Sequence, residues 1–135
     1  MPADAHGFYE FFYTSQLDPQ TSPTVVGQIL STARPHNARM GVSGLLVFDG
    51  LRFFQHLEGP RAALEPLMGR IVGDIRHQDV RILHEGVLLQ RRYHRFDMGY
   101  AQTDDLDALA ALISLSGVPA VERFLHMRAG FDIQA

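Results

Sequence analysis

The sequence predicts an α+β domain in which two helices lie across one face of a mixed sheet. Three observations carry that expectation. Aromatic or apolar runs of strand length recur along the chain, two amphipathic stretches of helical spacing interrupt them, and a strong hairpin signal joins the second run to the third. The length fits one such domain. With 135 residues, 46% hydrophobic and 20% charged, the chain can bury one core and lacks the composition of a disordered protein.

The first strand is expected over Phe8 to Tyr13, where aromatics suit a pleated, half-buried surface. Alternation sends Tyr9, Phe11 and Tyr13 to one face and Phe8, Glu10 and Phe12 to the other. Ser22-Pro23 then reads as an N-cap followed by proline at the first helical position. Val25, Val26, Ile29, Leu30 and Ala33 form the apolar stripe, and Pro35 is expected to stop the helix near Arg34. Gly44 to Phe48 is the second strand, Asp49-Gly50 the turn, and Arg52 to Leu57 the return strand, with Phe53, Gln55 and Leu57 on one face.

Gly59-Pro60 opens a second helix whose stripe is Leu64, Leu67, Met68, Ile71 and Val72. Pro66 inside it predicts a kink or a late start. Val80 to Leu89 and Phe96 to Ala101 complete the strands. The order β-α-β-β-α-β-β is the ferredoxin-like plan extended by one strand. Thr103 is expected to cap a third helix, with Asp104 and Asp105 at its N-terminus, Leu106, Leu109, Ala110 and Ile113 as its stripe and Gly117 as its end. Pro119 to Met127 reads as a last short helix with Val121, Phe124 and Leu125 apolar. These two helices are expected to cover the other face of the sheet or to contact a partner.

Composition narrows the chemistry. The absence of cysteine excludes disulfides, thiolate catalysis and cysteine metal sites. None of the seven histidines forms a His-x-His or His-x-x-x-His pair, so no metal site is expected. The net charge of −3 disfavours non-specific nucleic-acid binding, and Arg91 to Arg95 is too short a basic-aromatic cluster to reverse that. There is no G-x-G-x-x-G or Walker A pattern, and no apolar run near the ~20 residues of a membrane span. Met1 to Gly7 lacks the character of a signal peptide, so a cytoplasmic protein is expected.

Polar residues within apolar strands are the informative ones, because an unpaired buried polar group is costly. Tyr13 ends the first strand; on local evidence it is either a core tyrosine with its hydroxyl at the rim or a functional phenol. Gln55, between Phe53 and Leu57, can donate and accept at once, toward backbone or toward a ligand. His36-Asn37 reads locally as a helix exit, and Met98 as a filler of the core.

In order and together, these residues resemble the BLUF family of flavin-based blue-light sensors. Tyr13-Thr14-Ser15 is similar to that family's Tyr-x-Ser. His36-Asn37-Ala38-Arg39 and Gly41-Val42-Ser43-Gly44-Leu45-Leu46 resemble its Asn-Ala-Arg-x-Gly-[Ile/Val]-[Thr/Ser]-Gly-Leu-Leu stretch. Phe53-Phe54-Gln55-His56-Leu57-Glu58-Gly59 resembles its Phe-x-Gln-x-Leu-Glu-Gly. Asp74-Ile75-Arg76-His77-Gln78-Asp79-Val80 resembles its Asp-x-Arg-His-x-x-Val, Arg91-Arg92-Tyr93 its Arg-Arg-Phe, and Met98-Gly99 its closing Met-Gly. The likeness runs from about Phe8 to Gly99.

The resemblance implies FAD, with FMN or riboflavin as variants, held between the first two helices. It implies that Tyr13 donates an electron and a proton to the excited flavin, that Gln55 bridges Tyr13 and the flavin, that Asn37 holds the ring edge, and that Met98 responds to Gln55. Ile29, Phe53, Arg70, Asp74, Arg76 and His77 are expected to line or flank the flavin. It further implies a light sensor with no enzymatic output of its own: residues 1–102 would form the flavin-binding domain, and residues 103–135 a helical extension that packs on the sheet or mediates partner or oligomer contacts. Output would then occur in trans. One departure stands out: many relatives carry Trp two residues before the Met, where this chain has Phe96 and no Trp anywhere. The competing readings are a flavin-free ferredoxin-like module that binds a ligand or protein, and an acyl-phosphate hydrolase using Arg39 and Asn37.

Overall fold

The structure is a computed structural model, and it describes residues 8–93, 98–104 and 106–134. Its elements are β1 (Phe8–Leu17), α1 (Val25–Met40), β2 (Ser43–Phe48), β3 (Arg52–Gly59), α2 (Arg61–Val72), β4 (His77–Leu88), β5 (Gly99–Gln102), α3 (Leu106–Ile113) and α4 (Val118–Met127). The strands form one sheet in the order β4-β1-β3-β2-β5. Every neighbouring pair is antiparallel except β2 with β5. β1 and β2 therefore run the same way with β3 between them, and β3 and β4 enclose β1. This is the split β-α-β arrangement, used twice, and the α+β ferredoxin-like expectation holds.

Strand alternation divides the core into two layers. On one face Tyr9, Phe11, Tyr13, Leu46, Phe53 and Leu57 pack with Val26 and Leu30 of α1 and Leu64 and Met68 of α2. On the other, Phe12, Leu45, Val47, Phe54 and Leu83 pack with Leu109 and Leu112 of α3 and with Ala120, Val121 and Phe124 of α4. At ~1.5–3 kcal/mol per fully buried large apolar side chain, each layer is a substantial stabilising unit.

Pro35 corrects the sequence reading outright, and the late start that Pro66 allowed for α2 is excluded. α1 does not stop near Arg34 but continues through Pro35 to Met40, and α2 begins at Arg61 and runs through Pro66. Both prolines lie on exposed helix faces, so each ring, and the carbonyl it leaves without a helical partner, points away from the core. The last turn of α1 closes on left-handed Gly41, where Val42 N–H donates to the Asn37 carbonyl at 2.9 Å. That extension carries Asn37 inside the helix. At the other end, α1 starts at Val25, because Ser22 and Pro23 form a preceding turn in which Ser22 Oγ accepts the Thr24 N–H at 3.3 Å.

Strand limits also move. β1 extends to Leu17, β4 spans His77–Leu88, and β5 begins at Gly99. β4 departs from regular pairing with β1 at two places, Phe12/Tyr13 and Thr14/Gln16, and Asp79 within it has φ 55. In α3 the inward residues are Leu109 and Leu112, while Ala110 is exposed. Gly117 opens α4 rather than closing α3. Its φ of 67 and ψ of −152 belong to a region only glycine enters readily, and its N–H donates to the Leu83 carbonyl at 2.7 Å. Phe96 and Asp105, and the side chain of Leu106, fall outside the described residues. Among the described residues, no helix is long and apolar enough to cross a membrane.

Candidate flavin site

The two layers differ in one respect: the layer under α1 and α2 is hollow. A cavity of about 470 Å³ lies there, within the ~300–1,000 Å³ typical of small-molecule sites. Sheet register explains how distant residues meet in it. Tyr13 of β1 stands directly opposite Gln55 of β3, which stands opposite Leu46 of β2. All three side chains point to the α1/α2 face, so two residues 42 apart in sequence become cross-strand neighbours.

The Tyr13 hydroxyl donates a short hydrogen bond to Gln55 Oε1. The other end of the same amide donates from Nε2 to Met98 Sδ at 3.3 Å. Gln55 therefore spans a phenol and a thioether, with its acceptor end on one and its donor end on the other. All three residues are buried. Burial, and then the negative charge of Asp74, raise the Tyr13 phenol well above its ordinary pKa, so it carries its proton at neutral pH.

His77, at the start of β4, fixes the floor. Its Nδ1 meets Ser15 Oγ at 2.8 Å, its Nε2 contacts the Ile71 carbonyl, and its ring stands edge-on to Tyr13 and Phe53. The walls are apolar, with Ile29, Leu46, Phe53, Leu57, Leu67 and Ile71. The rim is charged. Arg70 donates to His36 Nε2 at 3.0 Å, joining α2 to α1. Arg76 grips Asp74 through several hydrogen bonds, which hold that carboxyl below its usual range.

All ten residues singled out from the sequence, Tyr13, Ile29, Asn37, Phe53, Gln55, Arg70, Asp74, Arg76, His77 and Met98, line this one cavity. The cavity also includes Thr32, Ala33, His36 and Arg39, which were not assigned to it. Ala33 lies four residues before Asn37, on the same face of α1, while His36 and Arg39 belong to the stretch that is helical only because α1 continues past Pro35.

A planar heteroaromatic ring fits the walls, amide and hydroxyl groups are available at its edge, and arginines at the rim suit an anionic tail. The family model described as "BLUF: Sensors of blue-light using FAD" matches residues 8–99. The chain belongs to the BLUF family. Among curated proteins, it is 35% identical over 81 residues to photoactivated adenylate cyclase subunit beta of Euglena longa, covering 60% of this chain and 9% of that protein. It is 28% identical over 99 residues to the blue light- and temperature-regulated antirepressor BluF of Escherichia coli K12, covering 70% of this chain and 25% of that one. The chain thus spans a small part of those BLUF relatives. Among solved structures, the dark state of the BLUF protein BlrB superposes with a TM-score of 0.78 at 28% identity, covering 93% of this chain and 97% of that one. A flavin-binding, blue-light-sensing BLUF module is therefore the function of this domain, and a flavin-free binding module is not favoured.

Proposed function

We propose that this BLUF protein reports blue light through Tyr13, Gln55 and Met98, with FAD as its flavin. The observation that carries the reading is the Gln55 amide, held by the Tyr13 hydroxyl at one end and facing Met98 Sδ at the other. A bound flavin supplies blue absorption and, once excited, a strong oxidant. Tyr13 would supply the electron, and its hydroxyl proton would pass into the Gln55 amide through the hydrogen bond already in place. The raised phenol pKa keeps that proton in the dark state, so it leaves together with the electron rather than before it. Once the electron and a proton have returned to Tyr13, Gln55 would be left with a changed donor pattern toward the ring edge, which would shift absorption to the red, and with a changed face toward Met98. Asn37, buried in the last turns of α1, holds the ring edge; Arg39, Arg70 and Arg76 at the rim receive the phosphates, which favours FAD over riboflavin.

In this reading the chain senses light and catalyses nothing itself. The signal leaves through β5 and the helical extension after residue 102, and output occurs in trans through a partner or a homo-oligomer. The test is an absorption spectrum of the protein before and after blue light, followed through dark recovery. A small reversible red shift, abolished in Tyr13→Phe and Gln55→Ala, is expected. Bleaching without a red shift would replace this reading with a redox role. A chain that takes up no flavin would refute it.

A further inference from the structure

We infer that Arg34 is a positioning residue that ties the light-sensitive Gln55–Met98 contact to the docking of residues 132–134 on the outer edge of β5. This deepens the photosensor reading and rests on it.

Arg34 lies on α1, one of the two helices over the flavin cavity, and makes two hydrogen bonds that no neighbouring side chain makes. Its Nε donates to the Met98 carbonyl at 3.0 Å, and its Nη2 to the Gln134 carbonyl at 3.1 Å. Gln134 is itself stitched to β5. Tyr100 N–H donates to the Gln134 carbonyl at 2.8 Å, and Gln134 N–H donates back to the Tyr100 carbonyl at 2.7 Å, an antiparallel bridge beyond the sheet's last strand. One guanidinium thus spans the backbone of Met98 and the backbone of the docked segment. The fixed fork of arginine suits this; a lysine ammonium, a point donor on a flexible stem, would not hold both carbonyls in fixed relation.

The Met98 side chain closes the circuit. It accepts from Gln55 Nε2, and a thioether can only accept. If light turns the amide so that oxygen faces sulfur, two acceptors meet and Met98 has to move. Met98 is buried at the wall of the flavin cavity and β5 begins at the next residue, so with the ring filling that cavity the movement passes to its own carbonyl. Displacing that carbonyl loosens Arg34, and with it the second acceptor, Gln134. Besides the partly buried Ile133, which rests on the core under α3 and α4, the docked segment is exposed and held by one two-bond bridge and this clamp, so it belongs to the weakly held end of the structure's stability range. Light would therefore uncover the backbone groups of Tyr100 on the edge of β5, where an extended strand already fits.

The experiment is residue-resolved amide hydrogen exchange on the full chain loaded with FAD, in the dark and under continuous blue light. In the wild type, exchange at Gln134 and Tyr100 is expected to rise roughly tenfold in light. Amides bonded between β2 and β3 serve as the unmoved control. In Arg34→Ala, both amides exchange in the dark as fast as in the illuminated wild type, light adds little, and the flavin red shift persists. A normal red shift with unchanged exchange at Gln134 overturns the inference. So does an Arg34→Ala chain that keeps the wild-type difference between dark and light. A chain without any red shift fails the photosensor reading instead, which the absorption spectrum reveals; the clamp is then refuted if Arg34→Ala leaves dark exchange unaltered.

Discussion

Glu10 offers the sharpest energetic prediction. It lies on the face of the sheet remote from the flavin cavity, 3% exposed. His56 Nε2 approaches one carboxylate oxygen at 2.7 Å, Arg92 Nε donates to the same oxygen at 3.2 Å, and His84 is 3.5 Å from the other. Burial alone would raise the carboxyl pKa, but the hydrogen bonds from His56 and Arg92 outweigh it and bring the value from 4.5 to about 2. At 1.36 kcal/mol per pKa unit, that depression corresponds to about 3 kcal/mol at neutral pH. The folded carboxyl binds its proton more weakly than the unfolded one. The stabilisation is therefore complete well above pH 4.5 and drains away as pH falls towards 2. Replacing Glu10 by Gln keeps the shape and removes the titration. Urea unfolding from pH 7 to pH 3 should show the variant about 3 kcal/mol less stable at pH 7, with the gap reduced to roughly half by pH 3. A gap of the same size at both ends would mean that the carboxylate's charge is not what stabilises the fold, and the reasoning would fail.

Two further outcomes follow from the geometry. Met98→Leu keeps the core volume but removes the acceptor of Gln55 Nε2. It should fold within about 1.5 kcal/mol of wild type and bind flavin. It should also recover roughly threefold more slowly in the dark, since a weak hydrogen bond of under ~1 kcal/mol no longer favours the dark amide orientation; unchanged or faster recovery, read by absorbance, contradicts the Gln55–Met98 coupling. A Cβ added at Gly44 would lie 2.2 Å from the His56 carbonyl oxygen of the paired strand, so Gly44→Ala should destabilise by about 3 kcal/mol or more, measured by thermal unfolding.

The cavity was legible because its residues sit in short motifs whose order is that of a known family, and because strand alternation already placed Tyr13 and Gln55 toward one face. That they stand opposite one another depends on which strands pair, which local spacing does not encode. Pro35 misled, since its cost in a helix depends on whether the freed carbonyl faces water, a tertiary matter. Larger still is the unread network on the opposite face. His56 joins Glu10 to the Tyr93 hydroxyl, each at 2.7 Å, and Glu58 accepts from Ser43 Oγ and from the backbone of Arg92 and Tyr93. In the sequence Glu10, His56 and Glu58 fall on the strand faces opposite Tyr13 and Gln55, where solvent-facing residues would be expected. Only the packing of α3 and α4 over that face buries part of it, with the Phe124 ring 6.3 Å from His56.

The two edges of the sheet have unlike prospects. β4 is long and displays exposed Ile82 and Val87, the makings of a template for another chain. Its two breaks in register and the left-handed Asp79 bend it away from straight pairing. β5 is short and is bridged at Tyr100 by the chain's own Gln134. One border is thus guarded by its curvature and the other by the chain's own backbone, two different defences against edge-to-edge pairing with a second chain.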